Sequence, residues 1–163
     1  MKRITIILVL LMVLAGCAAQ PTYETINDEI EILPTPQMRQ TFVELPPEAA
    51  SPTIESGSER LYMCGNYEIR IQTMEGGDFA STAKAVCGYE PDSLTVLQTR
   101  REGADCYEFV WACTGEEGDQ VGRAAVLDDG NYHYVLSVMA AAEDAGALAD
   151  TWQQLMESFS IAP

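Results

Sequence analysis

Five cysteines, one histidine and twenty-five carboxylates are the residues of this sequence with chemistry to offer. Nucleophilic serine catalysis needs an activated hydroxyl, an imidazole and an orienting carboxylate. The one imidazole is His133, set on a strand beside the tight turn Asp129-Gly130, and no G-x-S-x-G elbow occurs. A cysteine–histidine pair needs a thiol whose pKa is lowered by its surroundings, and nothing near His133 in the chain supplies one. A lone strand histidine reads as a surface or cross-strand residue. No C-x-x-C or H-x-x-x-H spacing offers zinc ligands, and there is no Walker or Rossmann glycine loop. The expectation is no catalytic residue, no metal and no cofactor.

The carboxylates cluster at turns. Glu116, Glu117 and Asp119 form one group, and Asp128 with Asp129 another. A strand joins the two groups, and at about 3.3 Å per residue it keeps them too far apart to share one ion. Neither has the ligand spacing of a calcium loop, so both read as solvated hairpin turns. A glycosidase needs two carboxylates facing across a cleft. Acids are so numerous from residue 57 onward that some pair meets that distance by chance, and their number decides nothing.

The elements that must position these residues can be read from periodicity. Tyr67, Ile69 and Ile71 alternate with Glu68, Arg70 and Gln72, which predicts a half-buried strand. Asp78 then offers an N-cap, Phe79, Ala83, Val86 and Cys87 share one helical face, and Gly88 stands at the C′ position. Strands are predicted over 93–100, 104–113, 120–127 and 131–139. Arg101-Glu102-Gly103, Glu117-Gly118-Asp119 and Asp129-Gly130-Asn131 are the turns between them. A last helix over 142–159 aligns Leu148, Trp152, Leu155, Met156 and Phe159. The fold class is α+β, a mostly antiparallel sheet of five to six strands covered by two helices.

This layout from Leu61 to Ile161 resembles the PsbP-like superfamily, which includes extrinsic photosystem subunits and DcrB-type bacterial lipoproteins. The likeness rests on a short helix after the early strands and on a closing helix that ends Met156-Glu157-Ser158-Phe159. It implies a binding or accessory module and carries over no site residue.

The N-terminus has a different texture. Lys2 and Arg3 precede an apolar run from Ile4 to Leu14, too short for a spanning helix, which needs about 20 apolar residues. A basic start, a short apolar core and small residues at its end describe a secretory signal. Leu14-Ala15-Gly16-Cys17 resembles the lipobox of bacterial lipoproteins. That resemblance implies cleavage after residue 16, lipid on Cys17, and anchoring at the outer face of a bacterial membrane. Acyl chains contribute about 0.8 kcal/mol per buried methylene.

Residues 17–56 read as a tether. Six of the eight prolines lie between Pro21 and Pro52, glycine is absent from 18–56, and seven acids face one base, Arg39. Such a composition predicts an extended, disordered spacer, with the folded domain at 57–163. Ile26, Ile30 and Leu33 fall at helical spacing and read as a transient helical turn within the tether. The formal charge is −16, or −18 without Lys2 and Arg3. That field repels phosphate backbones and argues against nucleic acid as a partner.

With Cys17 assigned to lipid, Cys64, Cys87, Cys106 and Cys113 remain, in a compartment that permits disulfides. Cys106 and Cys113 sit seven residues apart on one strand, separated by roughly 23 Å and facing opposite ways, so they cannot pair. Tracing strand directions brings Cys64, Cys87 and Cys113 to one end of the sheet. The favoured bridge is Cys87–Cys113, with Cys64 as competing partner, Cys106 free, and four reduced thiols as the alternative. The functional reading is a lipid-anchored, non-catalytic module that binds a protein or envelope component. A small envelope hydrolase using acidic residues and a small-ligand sensor or carrier are the alternatives.

Overall fold

The computed structural model describes residues 36–115 and 118–162. The leader, Cys17, the first part of the tether, and Glu116 and Glu117 lie outside the described residues.

Two faces of one sheet organise the domain. The strands are β1 (Thr41–Phe42), β2 (Ile54–Glu55), β3 (Glu59–Met63), β4 (Tyr67–Glu75), β5 (Val96–Arg101), β6 (Ala104–Gly115), β7 (Gly118–Asp128), β8 (Tyr132–Ala141) and β9 (Ser160–Ile161). The helices are α1 (Phe79–Cys87), α2 (Ala142–Ala145) and α3 (Ala149–Ser158), with a single 3-10 turn at Pro91–Ser93. Seven strands form the main sheet in the order β2-β3-β4-β8-β7-β6-β5, and β1 pairs separately with β9. Every pairing is antiparallel. The sheet exceeds the expected five to six strands because a short segment of the presumed tether, β2, adds to its edge.

Strand alternation sorts the side chains onto the two faces. One core gathers Tyr67, Ile69 and Ile71 of β4, Tyr134, Leu136 and Val138 of β8, and Trp152, Leu155, Met156 and Phe159 from the closing helix and its end. The other gathers Phe109 and Trp111 of β6, Ala124 and Val126 of β7, Val135 of β8 and Ala83 of α1. β7 and β8, central and covered on both sides, therefore bury both of their faces. Burying Leu155, Met156 or Phe159 contributes about 1.5–3 kcal/mol each, which fixes α3 to its face.

Local punctuation follows the sequence. The Asp78 carboxylate accepts from the Ser81 amide at 2.7 Å, and Gly88, at φ +81°, donates its N–H to the Lys84 carbonyl. Phe79 at the start of α1 stacks on Tyr107 at 4.4 Å and meets Phe109 edge-on. Glu102 and Gly103, at φ +52° and +86°, form the two-residue β5–β6 loop, the backbone hand that suits twisted hairpins. The last helix breaks into α2 and α3 around Gly146 rather than running over 142–159. Glycine is a poor helix former, and no side chain caps either piece.

The main correction concerns residues 36–56, expected as part of a disordered tether. Here they form a strap across the α3 face. Ala49 is buried, Val43 and Leu45 pack against the core, and β1 pairs with β9. The Arg39 amide donates to the Tyr134 hydroxyl, the Tyr132 hydroxyl donates to the Pro36 carbonyl, and the Tyr67 hydroxyl donates to Glu48 at 2.8 Å. Proline does not oppose such a strap, since an extended chain laid on a face needs few backbone donors. The domain therefore begins some twenty residues earlier than the expected boundary at 57.

Candidate functional site

His133, the second residue of β8, stands directly opposite Asp128 of β7 in the strand ladder, and its side chain faces α1. Its Nδ1 lies 2.6 Å from the Thr82 hydroxyl, and its Nε2 lies 3.3 Å from the Asp128 carboxylate. The Thr82 hydroxyl and Nδ1 share a hydrogen bond, whereas Nε2 lies close to the Asp128 carboxylate without making one. Hydroxyl, imidazole and carboxylate thus stand in line, the arrangement that activates a nucleophile in hydrolases.

Access separates this set from a working triad. His133 is wholly buried beneath α1, and Thr82, on the inner face of that helix, is 5% exposed. The four cavities lined in part by Met38 and Thr73, by Met63 and Asp144, by Tyr89 and Ala112, and by Glu44 and Leu155 do not include Thr82, His133 or Asp128 in their walls. No acyl group reaches the hydroxyl while α1 is seated. In this state the trio is a polar clasp that joins α1 to β7 and β8. The expectation of a surface or cross-strand histidine is corrected accordingly. His133 does have a cross-strand partner, but its strand is central and inside on both faces. Thr82 was missed altogether, although its position between Phe79 and Val86 on the inner stripe of α1 was legible.

The acidic turns hold themselves together. Thr114 donates its hydroxyl to Asp119 at 2.7 Å. Asp129 accepts from the backbone of Asn131 and Tyr132 and from the Tyr134 hydroxyl. Burial raises the Asp129 pKa, but these donors and the Arg39 charge outweigh it and leave the carboxyl below its ordinary value. Among the described residues, no three of His, Cys, Asp and Glu gather as metal ligands.

The cysteines divide by face. Cys87 and Cys113 belong to the α1-side cluster, whereas Cys64 and Cys106 belong to the α3-side core. Cys64 is at the predicted end of the sheet but behind it, which removes it as a competitor for Cys113. All four are unbridged thiols here, and the Cys87 thiol donates to the Ala83 carbonyl. Burial pushes the Cys64, Cys87 and Cys106 thiols up, away from the reactive thiolate.

A second polar cluster went unread in the sequence. Glu108 of β6 bridges Arg101 at 3.2 Å and Arg123 at 2.9 Å. Arg101 also donates to the carbonyls of Met156 and Phe159, capping the end of α3. It needs residues from β5, β6, β7 and α3, which no local pattern connects.

The fold has known counterparts. The chain is similar to the solution structure of cyanobacterial PsbP from Synechocystis, with TM-score 0.52 and 12% identity, over 76% of this chain and 92% of that one. It is similar to Mycobacterium tuberculosis LpqN, described as involved in cell envelope biogenesis, with TM-score 0.52 and 11% identity, over 78% of this chain and 86% of the other. A Pseudomonas aeruginosa protein of unknown function matches with TM-score 0.50 and 11% identity, over 81% of this chain and 90% of its own. No protein-family model matches the chain, and no curated protein matches it in sequence. The likeness is one of architecture: this is a PsbP-like α+β fold. Among the described residues, no helix is long and apolar enough to cross a membrane.

Proposed function

We propose that the chain is a lipid-anchored extracytoplasmic module that binds a protein or envelope component without catalysis. The burial of His133 carries this reading. The chain's one imidazole, with the hydroxyl and carboxylate that would form a triad, is closed off beneath α1. The Leu14-Ala15-Gly16-Cys17 sequence supports the anchor. An envelope role is in keeping with what is described for the similarly folded LpqN.

Two experiments test it. In detergent phase partitioning, the native protein enters the detergent phase and Cys17→Ser stays in the aqueous phase; equal aqueous partitioning of both removes the anchor. Crosslinking from the tethered protein in its own cells recovers one reproducible envelope component, in equal yield from Thr82→Val. Turnover of an envelope substrate that is lost in a folded Thr82→Val variant would make the trio catalytic and overturn the reading.

A further inference from the structure

Arg39 and Arg60 stand apart from the other bases of this acidic chain. Arg70 pairs with Glu59 and Glu68, Lys84 with Glu90, Arg100 with Asp105, and Arg101 and Arg123 with Glu108. Arg39 and Arg60 have no carboxylate at ion-pair distance among the described residues. Both line one cavity of about 240 Å³, where the strap crosses the start of β3. In a chain of net charge −16, two guanidinium groups on one cavity, without an ion pair among the described residues although Arg39 also acts on Asp129 from further off, form a site favourable to an anion.

Both groups are held in place. Arg39 donates from Nε to the Ala162 carbonyl, and its backbone amide is fixed by Tyr134. Arg60 donates from Nη2 to the Thr41 hydroxyl at 2.8 Å. A guanidinium has five N–H donors, so each retains several beyond these contacts. Thr41, Ser56, Ser58 and Thr73 line the same cavity, the Thr41 hydroxyl accepting from Arg60 and the Ser56 hydroxyl donating to the Glu59 carbonyl. Glu59 also borders the cavity, but its carboxylate faces Arg70 at 3.6 Å and Gln72 at 3.3 Å.

The donor count selects the ligand. One guanidinium satisfies both oxygens of a carboxylate in a bidentate pair. Two guanidiniums and several hydroxyls offer more donors than a carboxylate accepts, and match a tetrahedral oxyanion. The overall negative field opposes long polyanions and anionic membrane surfaces, whereas a small anion is shielded from distant charges within about 8 Å at physiological salt. We infer that the Arg39–Arg60 cavity binds a small soluble phosphate group, as free phosphate or a compact phosphate monoester.

Titration of the folded protein with inorganic phosphate, followed by amide NMR, tests this. Shifts are expected at residues 39–41 and 56–60, saturating in the millimolar range or tighter, with acetate at least tenfold weaker. Arg60→Gln weakens phosphate binding by roughly tenfold or more, since a charge-assisted hydrogen bond is removed. Arg60→Lys recovers part of it, and Arg100→Gln, on the far edge strand, leaves it unchanged. Thermal melts confirm that each variant is folded. No phosphate-dependent shift, or undiminished binding by folded Arg60→Gln, would overturn the site. Sedimentation with vesicles containing phosphatidylglycerol is expected to be negative. Co-sedimentation lost in Arg60→Gln would assign the cavity to a lipid headgroup and overturn the soluble ligand.

Discussion

Gly122 faces Trp111 across the β6–β7 ladder, and the indole occupies the space a side chain at 122 would need. A Cβ there would sit 2.2 Å from Trp111 Cζ2. Gly122→Ala therefore displaces a ring at the centre of the α1-side core, at a cost of about 1–3 kcal/mol. Urea denaturation followed by tryptophan emission measures it. Trp111→Phe made alongside should relieve part of the clash, so the double variant loses less than the two single losses combined.

The Thr82–His133–Asp128 clasp predicts a stability defect. His133→Ala leaves a void and an unpaired Thr82 hydroxyl, and should cost about 2–4 kcal/mol. Thr82→Val should cost about 1–3 kcal/mol, because the imidazole then lacks a partner for Nδ1. The two losses are non-additive, and thermal or chemical denaturation of the four-member cycle reads the coupling. Strict additivity would mean that the contact is not a shared one.

These contacts also mark how far the sequence could be read. Helix α1, the hairpins and the strands of the central meander follow from caps, turns and alternation, all local signals. The burial of His133 does not, because alternation places Tyr134 inside and so consigns its neighbour to solvent. Only the seating of α1 on the opposite face brings His133 in. The strap was hidden by averaging: residues 17–56 share one acidic, proline-rich composition, and Val43, Leu45 and Ala49, which carry the contacts, are diluted within it. The Arg101–Glu108–Arg123 cluster joins four elements and has no signature in the chain.

Asp129 confers a pH dependence whose sign is fixed by its lowered pKa. Its contribution is complete above the unfolded carboxyl pKa of about 4 and is lost as pH falls through the lower folded value. Asp129→Asn should be less stable than the native protein by about 1 kcal/mol at neutral pH, allowing for partial exposure. The difference should shrink below about pH 4. Denaturation midpoints of both proteins from pH 7 down to pH 3 check this, and a constant gap would contradict it.

The strap moves the stable boundary. A chain beginning at Thr35 should fold as the full domain does, while one beginning at Gly57 loses the Val43, Leu45 and Ala49 contacts and on the order of 3 kcal/mol. Limited proteolysis should cut upstream of Pro36 and spare 36–56. Rapid cleavage between Arg39 and Glu48 would show the strap to be unseated.

The division of thiols between two faces predicts one bridge. Under mild oxidation Cys87 should join Cys113, with Cys64 and Cys106 remaining alkylatable only after unfolding. Mass spectrometry of the alkylated, non-reduced protein decides it. A bridge that includes Cys106 would contradict the strand directions themselves.

The pairing of Thr41 with Ile161 ties the first described strand to the last. This ladder closes a loop that spans almost the whole domain, so its entropy cost must be met before the contact rewards it. High contact order of this kind slows folding toward the millisecond-to-second range. In synthesis from the N-terminus, β1 has no ladder partner until Ser160 and Ile161 are available. The β1–β9 ladder therefore closes only after every strand of the main sheet has been made.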